Sequence, residues 1–520
     1  MPHSPESSTS HVARSAALVA ALFAGDKVLG LARDVVIGRT FGASAQLDAY
    51  YAAFELPDGL FTIIAGSAMA TTLIPILSTR ISRGQPEQAW RLVSAIVNLA
   101  LAIVTGIGAV AALFAPQVIQ TVAPGFDPKQ VALGAKLMRL VLLQTLLFTA
   151  SGILVGVLRA FQHFLLPALA PVFYTIGRIA GTLWLAPYWG IFGLAWGGVA
   201  GAVVYFVILV PGLVRYRARW WPTFVHPDLR ALLRLMGPRV LGLGATYLNF
   251  VLPTFFGSRL SAGAISAYEY GWRLMQFPET IIGTALGITV FPTLADLANL
   301  GDRPGLRRTA SWALRLVLAL AVPAAVGLLV LGRPLTVLLF QRGAFDPATT
   351  DRVHSALQFF TLGLIVHGAL EVVSRLFYAQ QDMWTPLWAA LAGLVANAVL
   401  GWLLLPTLAQ GALALSNSLG VGLQVGILFL IARRRLKGIE EGALVASLSR
   451  TAAASVLMGA TLVGFRRLWP GLGSRLVGLA GLAVGTTTYL LTAALLGSEE
   501  VRQLPRLLLR RGDGLGASSA

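Results

Sequence analysis

Apolar runs of about 20 residues, the length that crosses the hydrocarbon core of a bilayer as a helix, recur along the chain from end to end. They begin near Arg14, Asp48, Trp90, Val131, Leu165, Gly190, Leu232, Gly263, Ala310, Thr350, Pro386, Gly411, Ala446 and Arg475. Short polar or Pro/Gly-bearing loops separate them, and no insertion is large enough for a soluble domain. The pattern predicts an all-α polytopic membrane protein of about fourteen transmembrane helices. Residues 1–13 are polar and Ser-rich. No small-residue cleavage site follows the first apolar stretch, so they read as a cytoplasmic tail, not a signal peptide.

Composition points the same way. Of the 520 residues, 56% are hydrophobic and only 12% charged, with a mean hydropathy of +0.74; soluble domains carry about a quarter charged residues. Cysteine is absent, which removes disulfides, thiolate nucleophiles and Cys-ligated zinc together. The net charge of +18, from 40 Lys plus Arg against 22 Asp plus Glu, would suggest nucleic acid in a soluble protein, but here location decides. One set of alternate loops holds Arg80/Arg83/Arg91, Arg215/Arg217/Arg219/Arg230/Arg234, Arg303/Arg307/Arg308, Arg433/Arg434/Arg435/Lys437 and the tail Arg502/Arg506/Arg510/Arg511. The other set is sparse, with Lys129, Arg259, Arg342 and Arg352 appearing singly. Basic residues are retained on the cytoplasmic side, so both termini are expected in the cytoplasm. The basic runs then serve topology and anionic-lipid contact, and nucleic acid is not a partner.

The chain also repeats itself. Lys27-Val-Leu-Gly-Leu31 returns as Arg239-Val-Leu-Gly-Leu243, Ala49-Tyr50 as Ala267-Tyr268, and Pro75-Ile-Leu77 as Pro292-Thr-Leu294. Phe126-Asp127-Pro128 returns as Phe345-Asp346-Pro347, and Ala160/Gln162 before Pro167 as Ala379/Gln381 before Pro386. The offsets cluster near 219 in one order, which marks a duplication. It predicts an N-terminal six-helix lobe over 14–219 and a C-terminal six-helix lobe over 230–437. Two extra spans at 446–497 and a cytoplasmic tail at 498–520 follow. Parallel repeats of this kind build transporters that bind substrate between halves and rock them in alternation; a duplicated bundle with a scaffold role is the competing reading.

Ionised side chains facing hydrocarbon cost about 2.5 to 3.5 kcal/mol at mid-helix by insertion scales, so those that remain need a wet cavity or a partner. The first span carries Lys27, Arg33, Asp34 and Arg39; in the second copy Arg239 answers Lys27 while Gly244 and Ala245 replace the charged pair. The second span holds Asp48, Glu55, Pro57 and Asp58, and the eighth Glu269, Arg273, Gln276, Pro278 and Glu279. Glu269 and Arg273 stand four apart and can pair on a helix, as can Glu371 and Arg375. Prolines 57, 75, 278 and 292 remove helix hydrogen bonds and permit bending. Two inward arginines with a lysine suit a diphosphate, whose oxygens guanidinium planes bind in pairs; a carboxylate or chloride fits the same cations. Enzymatic chemistry finds no support. The histidines are isolated, no HExxH or P-loop pattern is present, and neither a metal nor a cofactor is expected.

The ordered motifs resemble the MurJ/MviN lipid II flippase family of the multidrug/oligosaccharidyl-lipid/polysaccharide exporter superfamily. They are Lys27-Val-Leu-Gly-Leu-Ala-Arg-Asp34, Phe41-Gly-Ala43, Asp48-Ala49, Leu56-Pro57 and Pro75-Ile-Leu77, then Tyr270-Gly-Trp-Arg273-Leu-Met-Gln-Phe-Pro278, Phe291-Pro292-Thr-Leu, Leu339-Phe-Gln-Arg-Gly343 and Phe377-Tyr-Ala-Gln-Gln-Asp382-x-x-Thr-Pro386. The resemblance implies fourteen helices around a cationic cavity, with the last two forming a lipid-lined groove. It implies movement of lipid II, an undecaprenyl-diphosphate saccharide-pentapeptide, across the bacterial inner membrane for cell-wall synthesis. Carried over by position, Arg33, Arg273 and Lys27 become diphosphate contacts; Asp34, Asp48, Glu55, Arg239 and Glu269 become supporting or gating residues. A monomer is implied, working among membrane lipids, with no enzymatic activity and an unidentified coupling ion. The chain also departs from the family. Phe61-Thr62 stand where a basic pair is usual, Gln276 replaces an acid, Glu55 stands where lysine is frequent, and the span from Pro386 to Pro406 lacks the acid of a sodium site. Another polyprenyl-linked saccharide, an amphipathic drug or a non-transporting scaffold role are therefore the alternatives.

Overall fold

A computed structural model describes residues 22, 25–64, 67–469 and 473–503, excepting the side chains of 67–72, 230–233, 235–242, 245 and 246. The tail 1–13, the expected helix start at Arg14 and the end of the 498–520 segment lie outside these residues. Among the described residues every regular element is helical. They are α1 (25–41), α2 (Ala45–Ile64), α3 (Ser67–Ser82), α4 (Pro86–Leu113), α5 (Ala115–Val122), α6 (Pro128–Ala160), α7 (Leu165–Ala180), α8 (Ala186–Trp189) and α9 (Ile191–Arg215), followed by α10 (Pro227–Gly257), α11 (Ala264–Glu279), α12 (Ala285–Asn299), α13 (Arg303–Leu339), α14 (Pro347–Ala379), α15 (Trp384–Leu408), α16 (Gln410–Leu436), α17 (Glu441–Leu468) and α18 (Ser474–Leu495). One π-helical turn, Gly181–Leu185, joins α7 to α8, and another, Thr280–Thr284, joins α11 to α12. Among the described residues, eleven continuous helical segments are long and apolar enough to cross a membrane. The protein is an all-α, multi-pass membrane protein.

Helices begin a few residues before the apolar runs because their first turns are polar caps. Asp127 accepts a hydrogen bond from the Gln130 N–H at 2.7 Å and completes a reciprocal capping box ahead of Pro128. Asp346 caps its helix by accepting from the Thr349 N–H at 2.7 Å ahead of Pro347. An Asp-Pro pair supplies both a side-chain acceptor for the free amides and a residue whose missing N–H costs nothing at that position. The duplication shows in the elements. α6 and α14 are both 33 residues long, and the starts of α6, α7 and α9 recur 219 residues later as α14, α15 and α16. Even unusual backbone recurs: Gln162 and Gln381 both have φ of 58°, and Gly190 (φ 55°, ψ −136°) is answered by Ala409 (48°, −127°).

Contacts divide the chain into two compact units. Unit 1 is residues 1–266 with Arg342–Phe345; unit 2 is 267–341 with 346–520. Unit 1 thus takes in α10, the helix that opens the second sequence repeat. In unit 1, α6 packs against α2, α3, α4, α5 and α9. Lipid tails are as apolar as leucine, so close backbone approach holds such helices together more than burial does. α7 and α9 illustrate this: a Cβ on Gly177 would lie 2.5 Å from Gly201 Cα, and one on Gly181 2.5 Å from Gly197 Cα. α10 packs on α2 through α5. The Tyr247 hydroxyl donates to the Glu55 carbonyl, Thr254 donates to the Glu55 carboxylate, and Arg80 Nε donates to Asp228 at 2.7 Å.

In unit 2, α14 packs against α13, α16 and α12. The helices beyond the duplication, α17 and α18, pack on each other and on α13. Gly481 of α18 abuts Leu331, and Gly459 of α17 abuts Val326. The Tyr489 hydroxyl donates to the Ala319 carbonyl, while Glu500, only 3% exposed, lies 3.5 Å from Arg315.

Candidate functional site

The polar residues of unit 1 gather where α1, α2, α6 and α7 supply them. Arg33 Nη2 lies 2.9 Å from the carboxylate of Asp34, which is 6% exposed; the acid therefore neutralises and orients the guanidinium. Lys27 is exposed, and a Cβ on Gly30 would meet nothing, so this face of α1 is open. Asp26 on the same helix accepts from the Thr175 hydroxyl at 3.4 Å. Arg239 lies on α10 and its side chain falls outside the described residues.

Asp48, 2% exposed, spends its carboxylate on backbone. It accepts from the Gly263 N–H at 2.6 Å, from the Ser266 N–H at 2.8 Å and from the Ser266 hydroxyl. Those donors form the turn that opens α11. Glu55 faces α10 and is occupied by Thr254. In this conformation both acids hold helices in register.

Sequence reasoning passed over Arg178. It is the only charged residue between Leu165 and Trp189, a signal strong enough to have found it, yet no repeated motif contains it. It is 8% exposed, and its guanidinium carbon lies 5.7 Å from the ring of Tyr50, 5.9 Å from Phe54 and 5.8 Å from Tyr174. Gln144 donates to the Tyr174 hydroxyl at 3.1 Å. Phe61, in the position where a base was expected, packs on Phe148 at 5.9 Å, and Phe148 meets Tyr174 edge-on at 4.8 Å.

In unit 2, Arg273 Nη2 and Glu269 lie 3.4 Å apart, with 22% and 30% of their side chains exposed. Arg375 and Glu371 lie 2.8 Å apart on α14, and the Arg375 guanidinium occupies the notch left by Gly287. His367 Nε2 and Asn417 Oδ1 are 3.2 Å apart, which makes this asparagine a helix-to-helix contact. The π-helical turn follows Pro278, whose missing N–H and ring displace the ordinary ladder. Among the described residues no group of three His, Cys, Asp or Glu side chains could hold a metal ion.

Against known proteins, the sequence pattern of the family described as "Lipid II flippase MurJ" matches residues 37–481. The chain belongs to the MurJ lipid II flippase family. A relative from Burkholderia cenocepacia, named a lipid II flippase MurJ, is 31% identical over 422 residues, covering 79% of this chain and 81% of that protein. The probable lipid II flippase MurJ of Rhizobium tropici is 27% identical over 508 residues, covering 94% and 95%. A solved lipid II flippase MurJ in an inward closed conformation superposes with a TM-score of 0.80 at 22% identity, over 95% of this chain and all of that one. An inward-facing multidrug resistance MATE transporter of the MOP superfamily has a TM-score of 0.67 at 15% identity, over 80% and 96%. These likenesses give the fold, and the MurJ motifs now have places in it: Arg33 and Asp34 on α1, Asp48 on α2, Arg273 on α11 and Asp382 at the start of α15.

Proposed function

We propose that the protein is a lipid II flippase, which carries an undecaprenyl-diphosphate-linked peptidoglycan precursor from the inner to the outer leaflet of the bacterial inner membrane by alternating access. The family match across residues 37–481 carries this reading. In it α1, the α2–α3 pair and α10 join the eleven long apolar segments to make fourteen spans, and both termini lie in the cytoplasm, as the loop arginines favour. The polyprenyl tail stays in the bilayer while Arg33, Lys27 and Arg273 contact the diphosphate. Arginine suits that task because its planar fork pairs with phosphate oxygens and stays charged at every physiological pH. Membrane potential assists where the moving head group carries charge.

Replacement of the native flippase in a depleted bacterium tests the proposal. The wild-type chain should restore growth, and Arg33→Ala or Arg273→Ala should abolish it despite normal membrane levels. Full rescue by both variants would refute the assignment of these residues.

A second cargo has one observation behind it. Phe61 sits in an aromatic cluster with Phe148, a setting that fits a less charged head group. Mass spectrometry of lipid retained through mild detergent purification separates lipid II from another polyprenyl-linked saccharide.

A further inference from the structure

We infer that Arg375 is a latch in unit 2. Its guanidinium, seated in the notch at Gly287, fixes the register of α12 against α14, and it must leave that notch for α12 to swing about the π-helical turn that precedes it. The inference uses the flippase reading above only for its transport measurement. Three observations carry it. First, α11 and α12 form one continuous helical run, interrupted by Pro278 and the wide turn Thr280–Thr284; prolines and π turns are where long helices bend. Second, the contact beyond the bend is shaped to one side chain. Gly283 in the turn and Gly287 in α12 both face α14: a Cβ on Gly283 would lie 3.1 Å from Gly368 Cα and 3.5 Å from Glu371 Cγ, and one on Gly287 would overlap the Arg375 guanidinium. Third, Arg375 is only partly satisfied where it sits. Nη2 pairs with Glu371 at 2.8 Å, while Nη1 is buried with no hydrogen-bond partner among the described residues. Buried donors are nearly always paired, so a stranded one makes the seated state easier to leave.

The rest of the α12–α14 contact does not set a register by itself. Val290 and Leu294 of α12 share a buried apolar cluster with Val372 and Leu376 of α14. Apolar attraction is non-directional and tolerates sliding, whereas a planar guanidinium held by Glu371 fits the Gly287 notch in one position.

The chain has no cysteine, so the test introduces two. Gly287→Cys with Arg375→Cys, joined by a short reducible cross-linker, turns the latch into a covalent tie. In proteoliposomes the double variant should move lipid II before cross-linking, cross-linking should abolish movement, and reduction should restore it. Movement unaffected by cross-linking overturns the latch. Hydrogen exchange reads the same contact without cargo. Gly287→Ala, which expels the guanidinium, and Arg375→Gln should each speed exchange of the Thr280–Thr284 amides about tenfold, the scale of one charge-assisted contact, with α17 and α18 unchanged. Their combination should add nothing further, because both remove one contact. Wild-type protection in both variants, or effects that add, overturns the latch. If the cysteine variant is inactive before cross-linking, exchange decides alone. Wild type that moves no lipid II overturns the cargo reading and leaves the latch to the exchange result.

Discussion

Asp48 and Ser266 occupy equivalent positions of the two sequence repeats, 218 residues apart, and they are hydrogen-bonded to each other. The register is that of Ala49-Tyr50 and Ala267-Tyr268. One copy kept an acid and the other a hydroxyl with a free amide, so the duplicated position became a complementary pair. The acid of one copy accepts from the hydroxyl of the other, a bond that two ionised acids could not make.

The pair should therefore be energetically coupled. Ser266→Ala removes one bond and should cost about 1 kcal/mol; Asp48→Ala leaves buried amides without an acceptor and should cost about 2 to 3 kcal/mol. The double variant should cost less than the sum of the two. Melting of detergent-solubilised protein reads all three.

Asp382 gives a pH signature. Burial pushes its carboxyl up, but hydrogen bonds from the Thr385 hydroxyl and amide, together with Arg435, outweigh this and hold it down at about 2. A depressed carboxylate contributes stability above its unfolded pKa of about 3.9, and this contribution is lost as pH falls toward 2. Asp382→Asn should lower the melting temperature at pH 7 and flatten its dependence on pH between about 4 and 2.

Ala409 holds backbone that its repeat mate assigns to glycine, with φ of 48° and ψ of −127°. Such conformations cost a residue with a Cβ about 1 to 3 kcal/mol. Ala409→Gly should therefore raise the melting temperature, a gain of about 1 kcal/mol after glycine's greater unfolded freedom is subtracted.

The contact of α7 with α9 admits no side chain at Gly197, where a Cβ would lie 2.6 Å from the Gly177 carbonyl oxygen. Gly197→Val should separate the helices and greatly reduce folded protein in membranes. A matched Gly464→Val, where a Cβ would meet nothing within 4 Å, should not; fluorescence-detected size-exclusion chromatography distinguishes them.

Much of this was written in the sequence. Hydrophobic length fixed where helices run, and Asp-Pro pairs at 127–128 and 346–347 marked two starts, because span length and capping are local physics. The Glu269–Arg273 and Glu371–Arg375 pairs were readable for the same reason, four residues being one turn. What tertiary contact decides was not readable. The partners of Asp48 lie 215 and 218 residues away, and α10 groups with unit 1 although it opens the second repeat. Arg178 was visible as a lone charge. The three rings around it, two on α2 and one on α7, are brought together only by the fold.

Leaflet accessibility of labelled lipid II in proteoliposomes tests the central claim most directly. The account predicts that wild-type protein moves the head group across the bilayer, and that Arg33→Ala, with its melting temperature unchanged, does not. Movement at the wild-type rate in Arg33→Ala, or none by the wild type under an imposed membrane potential, would contradict it.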